Sequence, residues 1–517
     1  MIGKLIAAAC ALALHTSTAG AQVVAVEQGR LHGVDRGRSV AYLGVPYAAP
    51  PVGQLRWRPP IPALRWSGVR NASSFAPACM QRGVSMPGET PPTTSEDCLY
   101  LNVWTPRRIG RRAPVMVWIH GGGYANGSTA MPLYAGDNLA RRGVVVVSIA
   151  YRLGPFGFLA HPELTAEGGG SSGNYGLRDQ IAALTWVKRN IAAFGGDPNN
   201  VTVFGQSAGA MSISLLMTSP QARGLFERAI AQSGGVFEPL QLAPQYLLAN
   251  AEHDGVRYAA SLGANSIAAL RALPADRLLD GEAGRVSHPV IEPVVLPRAP
   301  YDAYLAHHFA DVPLIVGVNA EEGRSLVDVS GVTAANYAAG IRDTWGELPP
   351  ALSGAYPFTT DAEAQQARVA FETDLRFGWD MWAWARLHAQ EASHSVYYYQ
   401  FAQRPPFPSG NVRFGWGASH FAELWYMFDH LDQEAWAWSA ADRATANAMA
   451  SYWTSFARTG DPNEAHQAPW PRFVNDHPQV LELGRSSALV APLTPQLRVF
   501  DSVYAAVRGR PFGSREE

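Results

Sequence analysis

Short apolar runs alternate with longer amphipathic stretches along most of this chain. Val115-Met116-Val117-Trp118-Ile119 is a continuous apolar run that ends in glycines, and Val144 to Ile149, Val201 to Phe204 and Leu314 to Val318 follow the same pattern. Runs this short, rich in β-branched residues and closed by turn residues predict strands buried on both faces; a strand with one wet face would alternate apolar with polar. Between them, Leu177 to Phe194 and Ala208 to Met217 read as helices. Strand and helix in alternation predict the α/β class, with a mostly parallel sheet covered by helices. The stretches 240–312 and 330–395 are helix-rich and less regular, as insertions above the carboxyl ends of strands are when they shape a pocket. Pro-rich patches at 46–62 and 87–92 predict surface loops. No repeat or low-complexity linker divides the chain, so residues 22–517 are expected to form one domain.

Composition narrows the function classes. The 517 residues are 47% hydrophobic and 16% charged, with a formal net charge of -2. That supports a large core and offers no basic stripe for nucleic acid. Lys4, the apolar run Leu5 to Leu14 and the small residues Ala19-Gly20-Ala21 predict a signal peptide over 1–21, with Gln22 as the first mature residue and export to the periplasm or the medium. The run is too short to anchor the chain in a membrane. A lipoprotein reading through Cys10 lacks the leucine three residues upstream. Removing the leader leaves Cys79 and Cys98, and an even pair in an exported chain suggests a disulfide. Such a bond closes a loop of roughly 20 residues and contributes about 3 kcal/mol on the chain-entropy model. No metal or cofactor is expected.

The chemistry centres on Gly205-Gln206-Ser207-Ala208-Gly209, which follows a predicted strand and opens a predicted helix. A serine at such a turn has strained backbone angles and an exposed hydroxyl, and its neighbours must be small to avoid collision across the turn. The helix N-terminus favours negative charge developing there. Upstream, the strand at 115–119 runs into His120-Gly121-Gly122-Gly123-Tyr124. Three glycines let backbone N–H groups approach a substrate and, with the N–H of Ala208, hold an oxyanion. A phosphate loop is the alternative, but no Gly-Lys-Ser/Thr follows. His120, at a strand end, suits a structural hydrogen bond better than a role as base.

A serine hydroxyl needs a base, and an imidazole base needs a carboxylate to fix its tautomer. In chains with this elbow the order is serine, acid, histidine. His420 lies in the glycine-rich segment Gly415 to Phe421, ahead of the apolar Leu424 to Phe428. For the acid, Glu321 and Glu322 both follow a buried strand, and either serves on physical grounds.

Together these segments resemble the type-B carboxylesterase family, which includes cholinesterases and bacterial para-nitrobenzyl esterases. The resemblance is carried by Tyr42 to Ala48 with Pro50-Pro51-Val52-Gly53, by Ser95 to Trp104, by Gly173 to Gln180, and by Phe194-Gly195-Gly196-Asp197-Pro198. It implies an α/β-hydrolase fold and a serine ester hydrolase without cofactors. It further implies that the acid is Glu322, that the base is His420 within the motif Gly417, His420, Glu423, and that the oxyanion donors are Gly122, Gly123 and Ala208. It pairs Cys79 with Cys98, sets Arg56 against Glu96 as a structural ion pair, and makes Ser233 either a neighbour of the acid or a capped turn.

Departures from the family pattern bear on substrate. Gln206 stands where the family usually has glutamate, which removes a negative charge beside the nucleophile. Glu292-Pro293 stands where aspartate-glycine is common. The segment between Cys79 and Cys98 lacks the tryptophan with which cholinesterases hold a quaternary ammonium, and its polar, Pro- and Thr-rich character makes a poor lid for a lipase. Phe377, Trp379, Trp382 and Trp384 form an aromatic cluster, read as core packing ahead of a wall of the acyl pocket. The expected function is hydrolysis of small-molecule carboxylic esters through an acyl-enzyme. A non-catalytic cholinesterase-like binding protein and a triacylglycerol lipase are the alternatives.

Overall fold

The computed structural model describes residues 23–108, 112–484, 489–490 and 494–515. The predicted leader with Cys10, and Gln22, lie outside the described residues.

The described residues form one large sheet of strands β1 (Val34–Asp35), β2 (Ser39–Pro46), β3 (Tyr100–Pro106), β4 (Ala113–Ile119), β5 (Val145–Ile149), β6 (Gly196–Gln206), β7 (Arg228–Gln232), β8 (Leu314–Asn319), β9 (Val396–Phe401), β10 (Val480–Leu483) and β11 (Leu489–Val490). The order across the sheet is β11-β10-β9-β8-β7-β6-β4-β5-β3-β2-β1. Every neighbour from β10 through to β5 is parallel. Both edges are antiparallel. The short connection between Asp35 and Ser39 explains one of these, because only an antiparallel pair can be joined by so tight a turn.

The continuous apolar runs have a direct cause. Val115, Val117 and Ile119 of β4 join one apolar cluster, while Met116 and Trp118 join another on the opposite face. Each such side chain contributes about 1.5–3 kcal/mol by leaving water. Helices α1 (Tyr175–Asn190), α2 (Ala208–Thr218) and α3 (Trp379–Glu391) supply Leu177, Ile213 and Met381 to the first cluster. Helix α4 (Ala440–Thr459) supplies Met449, Trp453 and Phe456 to the second. The stretch 240–312 is helical at Leu248–Ser261, Ile267–Ala272 and Pro300–Leu305, and 330–395 at Tyr337–Trp345, Asp361–Thr373 and α3.

Sulfur atoms of Cys79 and Cys98 are bonded. Arg56 forks onto Glu96, Nε to Oε2 at 2.5 Å and Nη2 to Oε1 at 2.6 Å. Glu292 is buried, and its carboxylate accepts from the Val294 and Val295 N–H groups at 2.8 Å each and from Asn174 Nδ2 at 3.1 Å. The Glu292-Pro293 departure therefore builds a capped turn. The patch at 46–62 is less superficial than its prolines suggest: Tyr47 and Trp57 are buried, and Trp57 Nε1 donates to the Pro155 carbonyl at 2.7 Å. Among the described residues no helix is long and apolar enough to cross a membrane, and no cluster of His, Cys, Asp or Glu is arranged to hold a metal.

Candidate active site

The candidate residues converge at the carboxyl ends of neighbouring parallel strands, the edge where α/β sheets carry their ligand sites. β4 leads into the glycine run, β6 into Ser207, β7 into Ser233, and β8 into Glu322. His420 arrives on the long connection after β9.

Ser207 sits at the turn between β6 and α2 with φ 56° and ψ -127°. For a residue with a side chain this is a strained conformation, tolerated only where the surroundings impose it. Its N–H donates to the Gln232 carbonyl at 2.9 Å. A Cβ at Gly205 would lie 2.8 Å from the backbone of Gly209 and from the Ile119 carbonyl, which explains the small residues around the elbow. Ala208 is the first residue of α2, so its N–H has no acceptor within the helix. Gly122 and Gly123 have φ 108° and 61°, backbone angles that favour glycine.

Glu322 is fully buried and heavily bonded. The Nδ1–H of His420 donates to its Oε2 at 2.6 Å. Its Oε1 accepts from the Ser233 hydroxyl at 2.5 Å and from the Asn319 N–H at 2.7 Å. Adjacent Glu321 points the other way: it accepts from Arg324 Nε at 2.7 Å, Arg404 Nη2 at 2.6 Å and the Ala418 N–H at 3.0 Å. The two glutamates that local sequence leaves equivalent thus have separate duties, Glu322 facing the imidazole and Glu321 pinning the loop ahead of it. Ser233 contacts the acid and is more than a capped turn.

Two contacts on His420 have no local signal in the sequence. Phe377 lies flat on the ring, with centroids 4.5 Å apart and planes 6° from parallel. It belongs to a π-helical turn, Asp374–Gly378, immediately before α3. Phe377, Trp379, Trp382 and Trp384 all pack in the core, and Phe377 also covers the imidazole. Gln206 is buried, and its Nε2 lies 3.3 Å from Nδ1 and 3.2 Å from Nε2 of His420. Among the described residues, the ring makes its hydrogen bonds to Glu322 and Gln206 and none to the Ser207 hydroxyl.

Behind the acid lies a second buried carboxyl, Glu423. Its Oε2 accepts from Asn319 Nδ2 at 2.5 Å and its Oε1 from Gln232 Nε2 at 3.2 Å. Burial, and then the charge of Glu322, push it up to about 8. His120 is held down to about 4 by burial. Its Nδ1–H meets the Gly121 carbonyl at 2.9 Å and its ring stacks on Tyr151, so it is a neutral support for the glycine loop.

Comparisons with known proteins show the family. A model of the carboxylesterase family matches residues 20–340 and 351–498. The chain is 38% identical to a fumonisin B1 esterase of Sphingopyxis macrogoltabida, covering 86% of this chain and 84% of that one. It is 34% identical to the para-nitrobenzyl esterase of Bacillus subtilis (strain 168), covering 89% and 94%. A solved structure of a PNB esterase superposes with a TM-score of 0.78 at 32% identity, covering 91% of this chain and 97% of that chain. A sheet of this topology and relatives matched along most of their length lead to one conclusion: the chain belongs to the type-B carboxylesterase family, has the α/β-hydrolase fold and is a carboxylic-ester hydrolase.

Proposed function

We propose that hydrolysis proceeds through an acyl-enzyme on Ser207, with His420 as the base, Glu322 as the acid that orients it, and the N–H groups of Gly122, Gly123 and Ala208 as the oxyanion hole. The observation that carries this reading is the buried Glu322–His420 hydrogen bond, set beside a strained, half-buried serine at a strand-to-helix turn. Ser207 Oγ attacks the ester carbonyl and His420 Nε2 takes its proton. The tetrahedral oxyanion collapses, the C–O bond breaks, and the alcohol leaves with that proton. Water then repeats the sequence on the acyl-serine and releases the acid. Each oxyanion donor contributes about 3–4 kcal/mol to the barrier reduction.

Neutral Gln206 beside His420 supports uncharged or anionic esters over cationic ones. Fumonisin B1 belongs in the substrate panel because a relative bears that name. The intact set of nucleophile, base and acid weighs against a binding protein without activity, and the polar segment between Cys79 and Cys98 weighs against a lipase. Export of residues 22–517 as one unit, with the disulfide formed on the way, completes the proposal. Ser207→Ala is expected to abolish hydrolysis of para-nitrophenyl butyrate with an unchanged circular dichroism spectrum; full activity in that variant overturns the assignment.

A further inference from the structure

Among the described residues, two aromatic rings meet the buried imidazole of His420. Phe421 stands inclined to it at 59°, with centroids 4.4 Å apart. Phe377 lies flat on it, 4.5 Å away and 6° from parallel. That placement is made by the π-helical turn Asp374–Gly378, where the Trp379 N–H reaches back five residues to the Asp374 carbonyl. The turn holds one residue more than the α-helical pattern on either side of it, a device frequent at functional sites. Gly378 leaves it room, since a Cβ there would lie 2.5 Å from Asp374 Oδ1.

The charged groups near the imidazole come from several elements. Glu322, after β8, accepts the Nδ1–H at 2.6 Å, and Glu423 lies behind it on Asn319. Glu321 is turned onto Arg324 and Arg404. On the π-helical turn, Asp374 accepts from the Tyr356 hydroxyl at 2.7 Å and Arg376 donates to Glu372 at 2.8 Å. From β6 comes Gln206, close to both ring nitrogens and without charge. Taking a proton from Ser207 turns this ring into an imidazolium in an interior closed to water. A phenyl face is the negative side of the ring quadrupole, and its attraction for a cation within about 6 Å is strongest where water is excluded.

We propose that Phe377 is a positioning residue of the ester reaction: its ring holds the His420 imidazole in one plane and stabilises the imidazolium that forms as Ser207 attacks. The proposal rests on His420 as the base. It gives the π-helical turn a purpose, because the turn brings a π face to the ring on the side that Glu322 does not occupy.

The pH dependence of kcat/KM for para-nitrophenyl butyrate, from about pH 5 to about pH 8, tests the assignment. Phe377→Leu keeps an apolar cover on the imidazole and removes the π face. Its acid limb is expected to move to lower pH by about half a unit to one unit, with the plateau of kcat down about three- to tenfold and KM little changed. Pentafluorophenylalanine at position 377 preserves the shape and reverses the quadrupole, and is expected to move the limb the same way; it decides alone where Phe377→Leu does not fold. A ring that only shields His420 from water predicts the opposite sign, because its loss eases protonation and moves the limb to higher pH. A ring that only walls the acyl pocket changes KM and leaves the limb in place. Either result overturns the proposal. Burial pushes Asp374 up to about 6, so Asp374→Asn is the control: it is expected to leave the limb where it is, and an equal shift in that variant assigns the limb to Asp374 and overturns the proposal. Full activity in His420→Gln defeats the base assignment itself, a failure read separately from the sign of the Phe377 shift.

Discussion

Around Glu322 both carboxylate oxygens are engaged, by Ser233, by the Asn319 backbone and by His420, in an interior closed to water. Around Ser207 the opposite holds. The backbone is strained, the residue is half-buried, and its hydroxyl has no bond to the imidazole. On the proposed mechanism, one half of the site is fixed before substrate arrives, and the other stores strain and leaves its reactive atom uncommitted. The contrast teaches where substitutions hurt. The carboxylate half is a cooperative polar network in which a single unpaired group is expensive. The serine half depends on the turn geometry that the close-packed glycines maintain.

The contrast is tested most severely by Glu322→Gln, which preserves shape but removes the charge that fixes the imidazole tautomer. A fall in kcat of about 10⁴-fold is expected, with KM little changed, because the role is exerted in the transition state. Steady-state kinetics on para-nitrophenyl butyrate reads it; a loss under tenfold would detach Glu322 from the chemistry.

Next in size is the pH dependence of stability set by Glu423. Its folded value stands near 8, above the ordinary carboxyl range, so the native state holds a proton that the unfolded chain has released. The stabilisation is fully present below the ordinary carboxyl value and is lost as pH rises through 8, at up to about 1.4 kcal/mol per pH unit. Glu423→Gln is expected to flatten this slope in denaturant melts between pH 5 and pH 8. An equal slope in the variant and the parent assigns the proton elsewhere.

The smallest expected effect is that of Ser233→Ala. It deletes one of the donors to Glu322 and leaves the backbone donor and His420 in place. A loss of about tenfold in kcat/KM follows, near 1.4 kcal/mol. An effect as large as that of Glu322→Gln would mean that the carboxylate half is less redundant than its bonding suggests.

Much of this was legible in the sequence wherever the cause is local. The apolar runs of β4, β5, β6 and β8 announce strands buried on both faces, and the small residues around Ser207 announce the elbow, although part of the collision they avoid is with Ile119 on the neighbouring strand. Glu321 and Glu322 show where local reading stops. Both follow the same strand, and what separates them is the placement of Arg324, Arg404 and the Ala418 N–H on one side and of His420 on the other. The resemblance to a family resolved that choice; periodicity did not. Phe377 was hidden inside an aromatic helix that reads as core, and only the π-helical turn at Asp374–Gly378 sets it over the imidazole.

The central claim is that Ser207 is the atom-donating nucleophile, and covalent labelling tests it most directly. Incubation of the full chain with a fluorophosphonate probe, followed by digestion and peptide mass spectrometry, is expected to give a single phosphonyl adduct on the peptide containing Gly205-Gln206-Ser207-Ala208-Gly209. Prior treatment with excess para-nitrophenyl butyrate is expected to slow its formation. An unlabelled protein that still hydrolyses the ester, or an adduct on any other residue that tracks the loss of activity, contradicts the account.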